Sequence, residues 1–274
     1  MNNELVSVIC PCYNSEDYIQ RMLDSVKNQT YRDIEMICVD DGSMDRTVNI
    51  IKRNIKAFES KGMRLLCIQA KHKGQAAAVN TALKIISGDY FTLIDSDDFF
   101  LPESIEKRVV ALKNNPECAV SASDFYFVNE DDTEKIIGKA NGKLGWLPFQ
   151  KKQFGLLVTG FSMVTPVGYM IRTEAMRLIN PDMEINECVE GQNYQILMPL
   201  YYHFSRVYID EPLAVYVIRQ SSHDHMERTS IEKEKRALNL LKMLEEVLSD
   251  MKLGNNEIQK WKKLSGFNRL LENL

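Results

Sequence analysis

Asp95-Ser96-Asp97-Asp98 packs three carboxylates into four consecutive residues, directly after the apolar run Tyr90-Phe91-Thr92-Leu93-Ile94. Such a run reads as a buried parallel strand, and the loops beyond the carboxyl ends of those strands are where α/β sheets hold their ligands. Carboxylates this close repel one another unless something positive sits between them. A hard divalent cation, Mg²⁺ or Mn²⁺, takes oxygen ligands and bridges to substrate phosphates, which makes it the simplest such group. The alternative is a solvated acidic cap on a helix beginning near Pro102-Glu103. Three further loops carry polar chemistry: Pro11-Cys12-Tyr13-Asn14; Asp40-Asp41-Gly42-Ser43, with Asp45 and Thr47 close behind; and Lys71-His72-Lys73-Gly74-Gln75, before an Ala-rich segment containing Asn80.

To converge, each loop needs a strand before it and a helix after it. Apolar runs at 5–10, 34–39 and 64–68 supply the strands, and helical spacing of apolar residues marks 15–28, 44–58 and 75–86. A fourth helix runs from Pro102-Glu103 to about Asn114, and 118–127 is another apolar stretch. This alternation implies a doubly wound, mostly parallel sheet flanked by helices. Beyond it, 129–132 reads as a hairpin tip and 139–165 as a long loop near the ligand. Residues 207–218 read as one strand or two short ones broken by Pro212. Residues 231–251 put Ala237, Leu240, Leu241, Leu244, Val247, Leu248 and Met251 on one helical stripe.

Composition sets the outer bounds. A chain of 274 residues, 45% hydrophobic and 26% charged, has ample material for a core. A net charge of −4 offers no reason to expect a nucleic-acid partner. The first residues lack a basic, apolar leader, and no apolar run approaches membrane-spanning length, so no transmembrane segment is expected. Cys10, Cys12, Cys38, Cys67, Cys118 and Cys188 form no CxxC pair and read as reduced core thiols of a cytoplasmic protein.

Taken together, P-x-Y-N, V-D-D-G-S-x-D-x-T, K-G-x-x-x-A-x-N and G-D-Y-x-x-x-x-D-S-D-D resemble the nucleotide-binding half of a family 2 glycosyltransferase with the GT-A fold. The resemblance covers roughly residues 5–115, and 208–214 is similar to the family's late strand. It implies a catalytic domain over 1–225, with a nucleotide-sugar half (1–115) and an acceptor half (116–225), and a helical extension over 226–274. The implied reaction is metal-dependent, inverting transfer of a hexose or N-acetylhexosamine from a UDP-sugar donor to a polysaccharide, lipid-linked or glycoprotein glycan acceptor. Tyr13 would lie against the uracil with Pro11 shaping the turn, Asp41 would accept the uracil N3 proton, and Asp40 would support it. Lys73, or else His72, would reach the ribose or diphosphate. Asn14, Asn80 and Ser96 complete the implied nucleotide-sugar contacts. Asp95 and Asp97 match the family's DxD, one toward the ribose and one toward Mn²⁺ or Mg²⁺, with Asp98 sharing the metal.

The pattern breaks where the family carries its acidic base motif. Here the matching segment is Gly191-Gln192-Asn193, and an amide cannot act as a general base at neutral pH. Glu190 is the candidate base, Glu187 the second choice and Asp182 a third, while Asn193 and Trp146 are candidate acceptor contacts. Arg219 or His223 is a candidate for the diphosphate or the metal. A non-catalytic nucleotide-sugar-binding pseudo-transferase or assembly partner is the competing reading. The stripe after Ile231 has three candidate uses: packing on the sheet domain, a homo-oligomer, or peripheral contact at the inner face of the membrane. Four glutamates among its polar positions weigh against the last.

Overall fold

The computed structural model describes residues 4–140, 153–159, 165–187, 191–219 and 229–265. Trp146, Glu190 and His223 lie outside the described residues. The chain begins with β1 (Val6–Cys12), α1 (Ile19–Lys27), β2 (Ile34–Asp40), α2 (Thr47–Glu59), β3 (Arg64–Gln69), α3 (Gln75–Leu83) and β4 (Tyr90–Leu93). It continues through β5 (Phe99–Phe100), α4 (Ser104–Lys113), β6 (Cys118–Asn129), β7 (Asp132–Lys139) and α5 (Phe154–Val158). A 3₁₀ turn, Pro166–Gly168, leads into β8 (Tyr169–Arg172), α6 (Thr173–Ile179), α7 (Gln192–His203), β9 (Ser205–Ile218), α8 (Ser230–Asp250) and α9 (Asn255–Leu264).

The strands form one sheet in the order β3-β2-β1-β4-β8-β6-β9-β5, with β7 paired to β6. The first four in that order are parallel, and β8 enters antiparallel between β4 and β6. Every residue of β1, β2 and β4 is buried, which is why they read as unbroken apolar runs. Alternate side chains feed two cores. Val8, Cys10, Met36 and Cys38 face α1, α2 and α4, while Ile9, Ile37, Phe91 and Leu93 face α3, α7 and α8. Residues 205–218 form a single strand, and Pro212 is absorbed in an irregularity of its pairing with β6.

The C-terminal stripe is covered within the chain. Leu240, Leu244, Val247 and Leu248 are buried in the core that also holds Ile196, Leu197 and Leu200 of α7, and Ala237 is buried as well. Thr229 and Glu232 close α8 with a capping box, and Trp261 of α9 packs edge-on against Phe154 at 5.0 Å. Of the three uses open to the stripe, packing within the chain is the one the structure displays. No helix among the described residues is long and apolar enough to cross a membrane. Cys10, Cys12, Cys38, Cys67 and Cys118 are free thiols. Cys10, Cys38 and Cys67 stand side by side across β1, β2 and β3.

Candidate active site

The loops after β1, β2, β3 and β4 meet at one edge of the sheet because parallel strands end in the same direction. Pro11 lies inside β1, opposite Val39, and does not form the turn expected of it. It is tolerated there because pairing with β4 stops at Ile9, whose carbonyl accepts from Ile94 N–H at 2.9 Å. Tyr13 follows, 45% exposed, with the His72 ring stacked against its own. Asn14 takes a left-handed backbone (φ 47°) and braces the neighbouring loop, its Oδ1 accepting from Met44 N–H at 2.9 Å. Asp40 accepts from Ser43 N–H at 3.2 Å, closing the turn after β2. Asp41, 4% exposed, accepts from Lys73 N–H and Gly74 N–H at 2.8 Å each, so its carboxylate is fixed by the loop leading into α3. The Lys73 side chain is exposed above that loop.

Ser15 joins this end of the site to the acidic loop. Its Oγ donates to Tyr13 O at 3.2 Å and lies 2.8 Å from Ser96 Oγ. Within the loop, Asp95 accepts from Gln75 Nε2 at 2.9 Å. Asp97 pairs with Arg219 Nε at 2.5 Å, and its backbone carbonyl accepts from Arg21 at 2.8 Å. Arg219 also lies over the Tyr18 ring, 4.5 Å from its centre. Burial works against the Arg219 charge, but Asp97 and Tyr18 outweigh it and hold the guanidinium above its ordinary pKa. Arg21 is pulled below its usual value, chiefly by burial.

Asp98 is 1% exposed. Its Oδ1 accepts from Val217 N–H at 2.9 Å, whereas Oδ2 is buried with no hydrogen-bond partner among the described residues. Burial first, then Asp97 and Asp95, push its carboxyl well above the usual carboxylate range. Among the described residues no three His, Cys, Asp or Glu side chains converge as a ready cation cage. The donor set still fits the expected ion. Mg²⁺ and Mn²⁺ favour oxygen and sit on one or two carboxylates plus substrate phosphates, and Asp98 Oδ2 is an orphaned oxygen beside Asp97.

The segment after α6 is tied to α3 and α7 by amides. Asn80, expected at the nucleotide sugar, instead donates Nδ2 to Ile185 O and accepts from Ile185 N–H, both at 2.8 Å. Asn80 is buried against that segment, so its carbonyl and one amide hydrogen are committed there. Gln195 holds the next residue in the same way, through Asn186 N–H at 2.7 Å and Asn186 O at 3.1 Å. Glu187, which follows, is exposed. Asp182, the third candidate base, is exposed in the turn after α6. Gly191 caps α7 in the left-handed region (φ 81°), where L side chains are strained. Asn193, in the first turn of α7, accepts from the Tyr169 hydroxyl at 2.7 Å. Burial, with Asp95 next, raises the Tyr169 phenol well above its ordinary pKa and keeps it a donor.

Tyr169 and Arg21 stand among these residues without having been singled out by the sequence reading. Tyr169 begins a strand of only four residues, and the run Tyr-Met-Ile after Pro166 and Gly168 was its faint signal. Arg21 lies one position from the buried Met22 of α1, a cation beside an apolar face. Buried Arg108 steadies Tyr169 from behind, donating to Val167 O at 2.6 Å and Ser123 Oγ at 3.0 Å. Burial pulls its pKa down to about 9.

The family described as Glycosyl transferase family 2 matches residues 7–178. One curated relative is the UDP-Glc:alpha-D-GlcNAc-diphosphoundecaprenol beta-1,3-glucosyltransferase WfaP of Escherichia coli. It is 40% identical over 107 residues, which is 39% of this chain and 40% of that protein. The chain spans 18% to 62% of the length of the first curated relatives it matches. Among solved structures, TarS 1-349 of S. aureus in complex with UDP-GlcNAc superposes with a TM-score of 0.71 at 19% identity, covering 98% of this chain and 73% of that one. The mannosyltransferase PcManGT of Pyrobaculum calidifontis, in complex with GDP-Man and Mn2+, gives a TM-score of 0.68 at 15% identity over 99% and 73% of the two chains. At these identities the structural likeness speaks for the GT-A fold.

Proposed function

The chain belongs to glycosyl transferase family 2, and on that premise we propose that it moves a hexose or N-acetylhexosamine from a UDP-sugar to a glycan acceptor, with a divalent metal and with inversion. The observation that carries this reading is the Ser15 bridge from the Tyr13 backbone to Ser96 in the acidic loop, with the Asp41 carboxylate fixed on the neighbouring loop by Lys73 N–H and Gly74 N–H. A nucleoside diphosphate needs such a surface: a flat face and an N–H acceptor for the base, then oxygens and positive charge for the diphosphate.

The base lies on Tyr13, with its N3–H directed at Asp41. Asp95 holds the ribose, and Lys73 and Arg219 face the diphosphate as cations. Asp97 and Asp98 would hold Mg²⁺ or Mn²⁺, which when bound would stabilise charge on the departing diphosphate. Glu190 takes the proton of the acceptor hydroxyl while that oxygen bonds to the anomeric carbon from the face opposite the leaving group. The bond from that carbon to the phosphate oxygen breaks, and its electron pair leaves with UDP. Asn193 and Trp146 position the acceptor. The relatives support a UDP-sugar without deciding it, because a guanine also offers a ring N–H to Asp41.

A second reading, a nucleotide-sugar-binding pseudo-transferase, is favoured by one observation. Asn193 stands where the acid is expected, and its carbonyl already accepts from Tyr169.

Nucleotide release from a panel of UDP- and GDP-sugars with Mn²⁺ or Mg²⁺ tests both readings, with wild type set against Asp97→Ala and Glu190→Gln. Release of UDP that vanishes in Asp97→Ala and in chelator supports the metal-dependent UDP-sugar transferase. Release of GDP alone moves the donor. Nucleotide binding without turnover, even with glycan acceptors supplied, favours the pseudo-transferase.

A further inference from the structure

We infer that His72 is a built-in stand-in for the nucleobase, occupying the base position on Tyr13 and Asp41 until a nucleotide displaces it. This rests on the reading above that those two residues receive the base. The His72 ring stacks on Tyr13 with centroids 4.4 Å apart and planes 25° from parallel. Its Nδ1 lies 2.9 Å from Asp41 Oδ2 and 3.0 Å from Asp41 O. Both of those oxygens are acceptors only, so Nδ1 carries the hydrogen and donates it. A flat ring against Tyr13 with an N–H directed at Asp41 is the pair of contacts a uracil would bring.

The surroundings suit displacement. The His72 side chain is 60% exposed and stands on the loop between β3 and α3, outside any helix or strand. The imidazole can swing into solvent without disturbing the core. Asp41 does not depend on it, because Lys73 N–H and Gly74 N–H hold both carboxylate oxygens at 2.8 Å. Gly42 completes the arrangement. With φ at +79°, it leaves room beside the His72 backbone, where a Cβ would come within 3.1 Å of His72 N.

A nucleotide must therefore break one stack and one hydrogen bond before making its own, and its apparent affinity falls accordingly. Calorimetry with UDP on wild type, His72→Ala, His72→Phe, Tyr13→Ala and Asp41→Asn tests this. His72→Ala is expected to bind UDP about ten-fold more tightly, equivalent to about 1.4 kcal/mol. His72→Phe, which keeps the stack without the N–H, should fall between it and wild type. Unchanged or weaker binding by His72→Ala would mean that the imidazole sandwiches the base or ignores it, and overturns the inference. The base reading is judged separately. Tyr13→Ala and Asp41→Asn should weaken UDP at least ten-fold, and UDP binding indifferent to Tyr13→Ala sinks that reading and the inference with it. Both Tyr13 and His72 are exposed, so their substitutions leave the fold in place, as a melting curve will verify.

Discussion

The Tyr169 hydroxyl donates to Asn193 Oδ1 at 2.7 Å, linking β8, the strand beside β4, to the first turn of α7. The Asn193 side chain is thus oriented from the sheet through its carbonyl oxygen. Tyr169→Phe removes that orientation and leaves a half-buried carbonyl without its donor, at a cost of about 1–2 kcal/mol. The expected result is a kcat about 10- to 100-fold lower with an unchanged donor KM, because misplacement affects the reacting geometry more than binding. Steady-state kinetics decides it, and an equal fall in donor affinity would show that Tyr169 serves the nucleotide.

Asn80 of α3 and Ile185, beyond α6, are joined by two hydrogen bonds. Asn80→Ala leaves both backbone groups of Ile185 buried and unpaired, a loss of roughly 3 kcal/mol. Urea unfolding should read that loss. Hydrogen exchange should show faster exchange at Ile185 and Asn186 than in β1 or β2. Exchange that quickens uniformly would mean that the segment is not held locally.

Asp98 is a carboxyl buried beside two others, with one oxygen unpartnered. Asp98→Asn keeps the acceptor for Val217 N–H and removes the buried acid. Without metal, the variant should melt about 2–4 °C higher, as expected for a gain of roughly 1 kcal/mol. Donor turnover with Mn²⁺ should fall at least ten-fold, since an amide is a poor ligand for a hard cation. A melt in chelator that drops instead would show that the carboxyl is needed by the fold itself.

Burial, followed by Cys38 and Cys12, raises the partly buried Cys67 thiol to about 11. Only the thiolate attacks iodoacetamide, and at pH 8 about one thiol in a thousand is ionised. Labelling of Cys67 should be slow at neutral pH and quicken about ten-fold per pH unit on the way to 11. Mass spectrometry would locate the label, and rapid modification at pH 7 would contradict the raised value.

The β1 to β4 frame was legible because those strands are buried on both faces, so their sequences are continuous apolar runs ending in polar loops. The helices between them carried the same clarity. Ile19, Met22, Leu23 and Val26 of α1 are buried at the spacing the pattern predicted. Strand β8 was not legible, since four residues give too short a period to separate from a loop. Pro11 argued for a turn until its position beyond the last bond to β4 was known.

Local pattern therefore determined where the polar loops fall along the chain and which residue types they offer. What those side chains do once there was decided by tertiary structure, because their partners lie far away in sequence. Asp97 meets Arg219, Asn80 meets Ile185, Tyr169 meets Asn193, and His72 takes the place beside Tyr13 and Asp41. Periodicity reports which face of an element is buried, whereas a hydrogen bond or a stack depends on register between elements, which is set only when the sheet closes and the helices dock.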